Sequence, residues 1–191
     1  MTSTSNATAV MRRLRDLCDD RCGVAAVEFA IIVPFMLALY IGGVELGDAM
    51  AIQVKVTDTA HIVADLISQQ TTTTNITNVN SILNASSATI APYSSSNLVV
   101  TVSEVSTNAS GAATVTWSVS LNGTARTVGQ AMTLPTSLTG PAYNNISLIL
   151  GEVSYAYTPN LGGAITGTLA LSDSYYLFPR NSTSIACPTC T

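Results

Sequence analysis

Hydrophobic positions change spacing twice along the chain. From Val24 to Val44 they form a nearly continuous run, broken only by Glu28, Pro34 and the pair Gly42-Gly43. At about 1.5 Å per residue, 21 helical residues reach about 31 Å, enough for a hydrocarbon core of about 30 Å. One membrane-spanning helix is predicted, with a bend at Pro34, where a backbone hydrogen bond is removed. Beyond it Ile52, Val56, Ala60, Val63 and Ile67 recur every third or fourth place, so the helix continues as an amphipathic one whose apolar stripe needs a covering surface. Gln53, Lys55, Thr57, Asp58, His61, Asp65 and Gln69 form the polar side. "TTTTN" at 71–75 ends the pattern. A shorter helix is expected from Val79 to Ile90, capped by Asn78 and stopped by Pro92.

From Asn97 the period becomes two. In "TVTWSVSL" Val115, Trp117, Val119 and Leu121 alternate with Thr114, Thr116, Ser118 and Ser120, which predicts a half-buried strand. "LVVTVSEVS" (98–106) precedes it across a loop with Asn108 and Gly111, a hairpin pattern. "ISLILGEVSYAYT" (146–158) and "AITGTLALSDSYYLF" (164–178) add two more strands, joined through Pro159, Asn160, Gly162 and Gly163. The expected fold class is α+β. A long N-terminal membrane-spanning helix continues into a soluble amphipathic helix, which packs on an antiparallel sheet of about four strands, arranged as a meander. Residues 123–145 read as a long irregular connection.

Charge orients this scheme. Arg12, Arg13, Arg15 and Arg21 precede the apolar run, and only Lys55, Arg126 and Arg180 follow it; the positive-inside rule puts the N-terminus in the cytoplasm and the remainder outside. After Gly23 three cations face eight acids, a balance that argues against nucleic acid as a partner. The cysteines form two pairs, Cys18 with Cys22 and Cys187 with Cys190, on opposite sides of the run, so one four-cysteine metal site is excluded by topology. Cys187 and Cys190 read as a local disulfide in an oxidising compartment, with two free thiols as the alternative.

Catalytic chemistry has little to build on. His61 is the single histidine and reads as a surface residue. No phosphate loop, metal-spaced histidine cluster or nucleophile elbow occurs, and Glu104, Glu152 and Asp173 read as parts of a solvated face. The expectation is a protein that is not an enzyme and takes no cofactor.

Three processing histories fit the apolar run. Ala49-Met50-Ala51 could end a secretory signal peptide, against which the run is long and the amphipathic pattern crosses the cut. The chain could be an uncut signal anchor. The third cut lies between Gly23 and Val24. A carboxylate inside a membrane helix costs about 2.5–3.5 kcal/mol on insertion scales, so Glu28 calls for a partner; this cut makes one, the α-amino group of Val24, one helical turn away. The plainer reading leaves Glu28 solvated among lipid headgroups.

"G-VAAVEFAIIVPFMLALYIGGVELGD" resembles the start of TadE-like proteins, minor pilins (pseudopilins) of the tight-adherence (Flp) type IV pilus system. The resemblance rests on Gly23 before the run, Glu28 and Phe29 at its fifth and sixth places, Pro34, and the ending "VELGD"; "VSYAYTP" and the tail with Pro179 and Arg180 extend it. The Asn/Ser/Thr-rich middle departs from it. The resemblance implies a pilin-like fold, cleavage after Gly23 by a prepilin peptidase, and partners among pilus platform proteins, the major pilin and other minor pilins. It implies an inner-membrane protein with a periplasmic C-terminal domain, available to enter a pilus. The expected organisation is a leader at 1–23, a membrane helix at 24–46, a helical stem and linker at 47–96 and a β domain at 97–191. A signal-anchored or secreted adhesion domain is the alternative function.

Overall fold

The computed structural model of the 191-residue chain describes residues 21–159 and 167–190. Arg12, Arg13, Arg15 and Cys18 of the expected leader, and Asn160, Gly162, Gly163, Ile165 and Thr166 of the last expected hairpin, lie outside these residues. The chain divides into two units, Met1–Leu46 and Gly47–Thr191. Helix α1 (Arg21–Ser68) contributes to both and contains Pro34.

In the first unit α1 is apolar on all sides apart from its acidic residues, and among the described residues its surface is largely exposed: Phe29 is 67% exposed and Leu39 78%. A helix with this surface needs lipid or other helices around it. It is the one described helix long and apolar enough to cross a membrane.

In the second unit α1 buries Ala49, Ile52, Val56, Ala60, Val63, Ala64 and Ile67 in one core with the sheet. These include every position of the apolar stripe. Helix α2 (Ile76–Ser87) adds Val79, Leu83 and the small Ser86. It starts one turn earlier than expected, because Asn75 rather than Asn78 is the cap: the Asn75 side chain accepts the Asn78 N–H at 2.9 Å, satisfying a donor that the helix leaves open. Residues 88–90 tighten into a 3₁₀ turn before Pro92.

Five antiparallel strands follow, β1 (Leu98–Thr107), β2 (Ala113–Leu121), β3 (Ala131–Met132), β4 (Ser147–Tyr157) and β5 (Leu169–Leu177), ordered β3-β2-β1-β4-β5. The sheet is therefore not a simple meander. Strand β4 crosses over to pair with β1 from Leu98↔Tyr155 to Ser106↔Ser147, while the short β3 covers the start of β2. This makes β1 the centre and explains why nearly all of it is buried.

A register shift after Glu104 corrects the expected face of Val115. Glu104 pairs with Trp117 but Val105 pairs with Val115, leaving Thr116 unpaired. A bulge of this kind turns the strand by one residue. Trp117 and Val119 stay on the helix-covered face, whereas Val115 shares the register of Val105, which packs on the opposite face with Ala113, Leu134, Leu148 and Leu150. Residues 123–145, the irregular connection, fold over that face and supply Leu134 to this second cluster.

Gly151 on β4 sets how closely helix and sheet approach. A Cβ there would lie 2.6 Å from the Ala60 carbonyl oxygen and 2.8 Å from Val63 Cγ1. Gly151→Ala should therefore push α1 off the sheet and lower stability by about 1–3 kcal/mol, the usual cost of overpacking, read as a fall in the urea midpoint of the detergent-solubilised protein. An unchanged midpoint would contradict this packing.

Candidate membrane and assembly segment

The site residues read from the sequence fall in two places. Gly23, Val24, Glu28, Phe29 and Pro34 all lie on α1 in the first unit. Val24 and Glu28 are four residues apart and so neighbour each other on one helical face. Glu28 is exposed, as are Val24 and Phe29. Arg126–Glu152 and Arg180–Asp65 form ion pairs; neither involves Glu28. The arrangement gives one carboxylate on a helix whose other side chains, from Val24 to Tyr40, are apolar, with open space around Gly23.

Cys187 and Cys190 lie at the other end of the chain, joined in a disulfide and buried in the main core. They anchor a tail that the sequence marked only by its cysteines and by family resemblance. The Arg180 N–H donates to the Ser68 carbonyl at 2.8 Å and its guanidinium pairs with Asp65; Asn181 Nδ2 donates to the Gln69 carbonyl at 2.7 Å. These contacts satisfy carbonyls that end a helix without partners, and the cation suits the negative helix end. Ala186 pairs with Thr73 and its neighbours, and Thr189 Oγ1 accepts the Ile76 N–H at 2.8 Å.

Glu104 completes the anchorage, and here the sequence reading is corrected. It is not solvated: it is 2% exposed on the helix-covered face, and its Oε1 accepts the Ser147 hydroxyl at 2.5 Å and the Ile185 N–H at 2.8 Å. The Ile185 carbonyl in turn accepts Trp117 Nε1–H at 2.6 Å. Both main-chain groups of one buried tail residue are thus held by side chains of the sheet. The signal was present in the alternation, since Leu98, Val100, Val102 and Glu104 share a parity.

Glu152 lies on the opposite face, bound to Arg126 through two bonds, Nε at 2.6 Å and Nη2 at 2.5 Å. The hydrogen bond to Glu152 raises the Arg126 pKa against the opposing effect of burial. Burial, then the Glu152 charge, raises the Tyr176 hydroxyl above its ordinary 10.0. Asp173 accepts the Thr57 hydroxyl at 2.5 Å and the Ser174 N–H at 2.8 Å. The three carboxylates are therefore engaged separately and form no common site. His61 is exposed, its ring 4.4 Å from that of Tyr175 between centroids. Among the described residues no group of histidine, cysteine and acidic side chains is placed to hold a metal ion.

The family model described as TadE-like protein matches residues 23–65. Residues 23–65 are TadE-like. The TadE-like segment begins at Gly23, takes in the exposed apolar helix with Glu28, and ends inside the stripe that packs on the sheet. TadE-like proteins are a family of pilus components rather than of enzymes, and the match supports a general association with the tight-adherence pilus machinery and with a membrane. No curated protein and no solved structure matches the chain.

Proposed function

We propose that the protein is a minor pilin of the tight-adherence system, held in the inner membrane by α1 with its N-terminus cytoplasmic, and cut by a prepilin peptidase between Gly23 and Val24. The observation that carries this reading is the position of Glu28: the TadE-like segment starts at Gly23, and a cut there leaves a new amino group one turn before the carboxylate. In the lipid interior a lone carboxylate is costly, and the amino terminus of its own or an adjacent subunit neutralises it. Pairing between subunits fixes the axial register of packed helices. Pro34 bends the same helix in this reading, and the periplasmic β domain, closed by the Cys187–Cys190 disulfide, faces the growing filament. Partners are the peptidase, the platform proteins, the major pilin and other minor pilins.

Deletion and complementation test this role. Cells lacking the protein should lose their tight-adherence pili and regain them when the wild-type chain is supplied. Normal pili in the deletion strain, with attachment alone impaired, would support the adhesion-domain function instead.

A further inference from the structure

The sheet face away from α1 carries a groove of about 550 Å³, within the size range of about 300–1,000 Å³ typical of small-molecule sites. Its wall is built rather than incidental. After β2 the chain turns at Asn122, whose backbone is left-handed (φ 58°) and whose Nδ2 donates to the Leu98 and Ser95 carbonyls at 3.0 and 3.1 Å. Gly123 then crosses the sheet so closely that a Cβ would lie 2.4 Å from Val99 Cγ1. The following stretch is pinned by the Arg126 N–H on Ser118 Oγ at 3.0 Å and by the Arg126–Glu152 pair. Thr124 and Arg126 thus line the groove together with Thr101, Ser154 and Ser172, and Ser154 and Ser172 are direct cross-strand partners.

The lining chemistry selects a ligand class. Arg126 and Glu152 cancel in charge, and Asp173, the other charged residue of the lining, directs its carboxylate to Thr57 on α1 at the opposite face of the sheet, so the groove face presents no net charge to attract a phosphate or a cation. Glu152 occupies Nε and Nη2 of Arg126, leaving Nη1 as a donor beside carboxylate oxygens that retain acceptor capacity. The hydroxyls of Thr124, Ser154, Ser172 and Ser174, each a donor and an acceptor, line the same groove, while that of Thr101 is shared with Ser120 Oγ at 2.8 Å. An apolar ligand would leave these groups unpaired at a cost, whereas adjacent sugar hydroxyls match alternating donors and acceptors. The geometry points to a neutral saccharide site in this groove, with Glu152 and Arg126 as the central recognising pair and the Ser154–Ser172 pair as its floor. The inference is independent of the pilus role.

The test uses the full chain in nanodiscs, followed by backbone amide NMR during titration with three probes: a tetramer of N-acetylglucosamine, a neutral glucose tetramer, and inorganic phosphate. Saturable shifts centred on Thr124, Arg126, Ser154 and Ser172 with at least one sugar are expected. Preference for the amino-sugar probe would assign a cell-wall glycan, and preference for the glucose probe a neutral surface polysaccharide. Glu152→Gln should weaken binding about tenfold or more, a loss of about 1.4 kcal/mol. Ser154→Val with Ser172→Val, substitutions suited to strands, should abolish the groove shifts while the rest of the spectrum is kept. Absence of groove shifts with both sugars, shifts with phosphate alone, or sugar shifts unchanged in the folded serine variant would overturn the assignment.

Discussion

Glu28→Ala should leave the protein in the membrane and strip the cell of most of its pili. Two opposed consequences of one substitution make this outcome diagnostic. Removing a carboxylate from an apolar helix eases insertion by about 2.5–3.5 kcal/mol on translocon scales, so loss of anchoring cannot explain a loss of pili. The same substitution takes away the acceptor for the amino group of Val24, within the chain or from the neighbouring subunit, and with it the feature that sets register along a bundle of otherwise apolar helices. The flanking surface offers no replacement, since the side chains around it, Val27, Phe29, Ile31 and Ile32, are apolar and exposed. Fractionation should find the variant in the membrane at wild-type abundance, and electron microscopy should find few pili. Wild-type pilus numbers in that variant would remove the register role.

The second large effect belongs to Glu104. Glu104→Ala leaves the Ser147 hydroxyl and the Ile185 N–H without their acceptor, at about 1–3 kcal/mol for each buried donor left unsatisfied. We expect a loss of roughly 2–4 kcal/mol, with the damage concentrated in the tail. Glu104→Gln keeps a carbonyl oxygen in place and should lose less. Hydrogen exchange should show the amides of Ile185 and Ala186 losing protection in Glu104→Ala before the centre of β1 does. If Glu104→Ala keeps both its urea midpoint and its tail protection, the buried carboxylate does not anchor the tail.

How far the sequence revealed this architecture depends on how local each signal is. The stripe Ile52, Val56, Ala60, Val63 and Ile67 is a periodicity within one helix, and all five residues are buried. Strands β1, β2 and β4 are close to the expected segments because alternation is likewise local. Pairing of β4 with β1 is different: it depends on which strand edge is free after β2 has folded back, and no period within either strand encodes that. The bulge between Glu104 and Val105 shifts parity by one residue, so Val115 and Trp117, which share a period in the sequence, lie on opposite faces. Leu134 was legible as apolar but not as core, because the residues around it lack a period.

The candidate segment shows the same division. Gly23, Glu28 and Pro34 stand out in a contiguous apolar run, where any polar or helix-breaking residue is visible. The groove between residues 123–126 and the sheet is assembled from separated stretches, so its Arg126–Glu152 pair could be recognised only after folding. Glu104 is the intermediate case. Its parity pointed inward, but its charge favoured a solvated reading, and only the tail's Ile185 N–H and the Ser147 hydroxyl make burial affordable.

A processed pilin whose mature N-terminus is made next to Glu28 should give, on N-terminal sequencing of the protein recovered from piliated cells, Val-Ala-Ala-Val-Glu, beginning at Val24. A mature chain beginning Ile52-Gln-Val-Lys would mean that the apolar run is a discarded signal peptide, and an unprocessed N-terminus would mean a plain anchor; either result would rule out cleavage after Gly23 and with it the pairing of Glu28 with a new amino terminus.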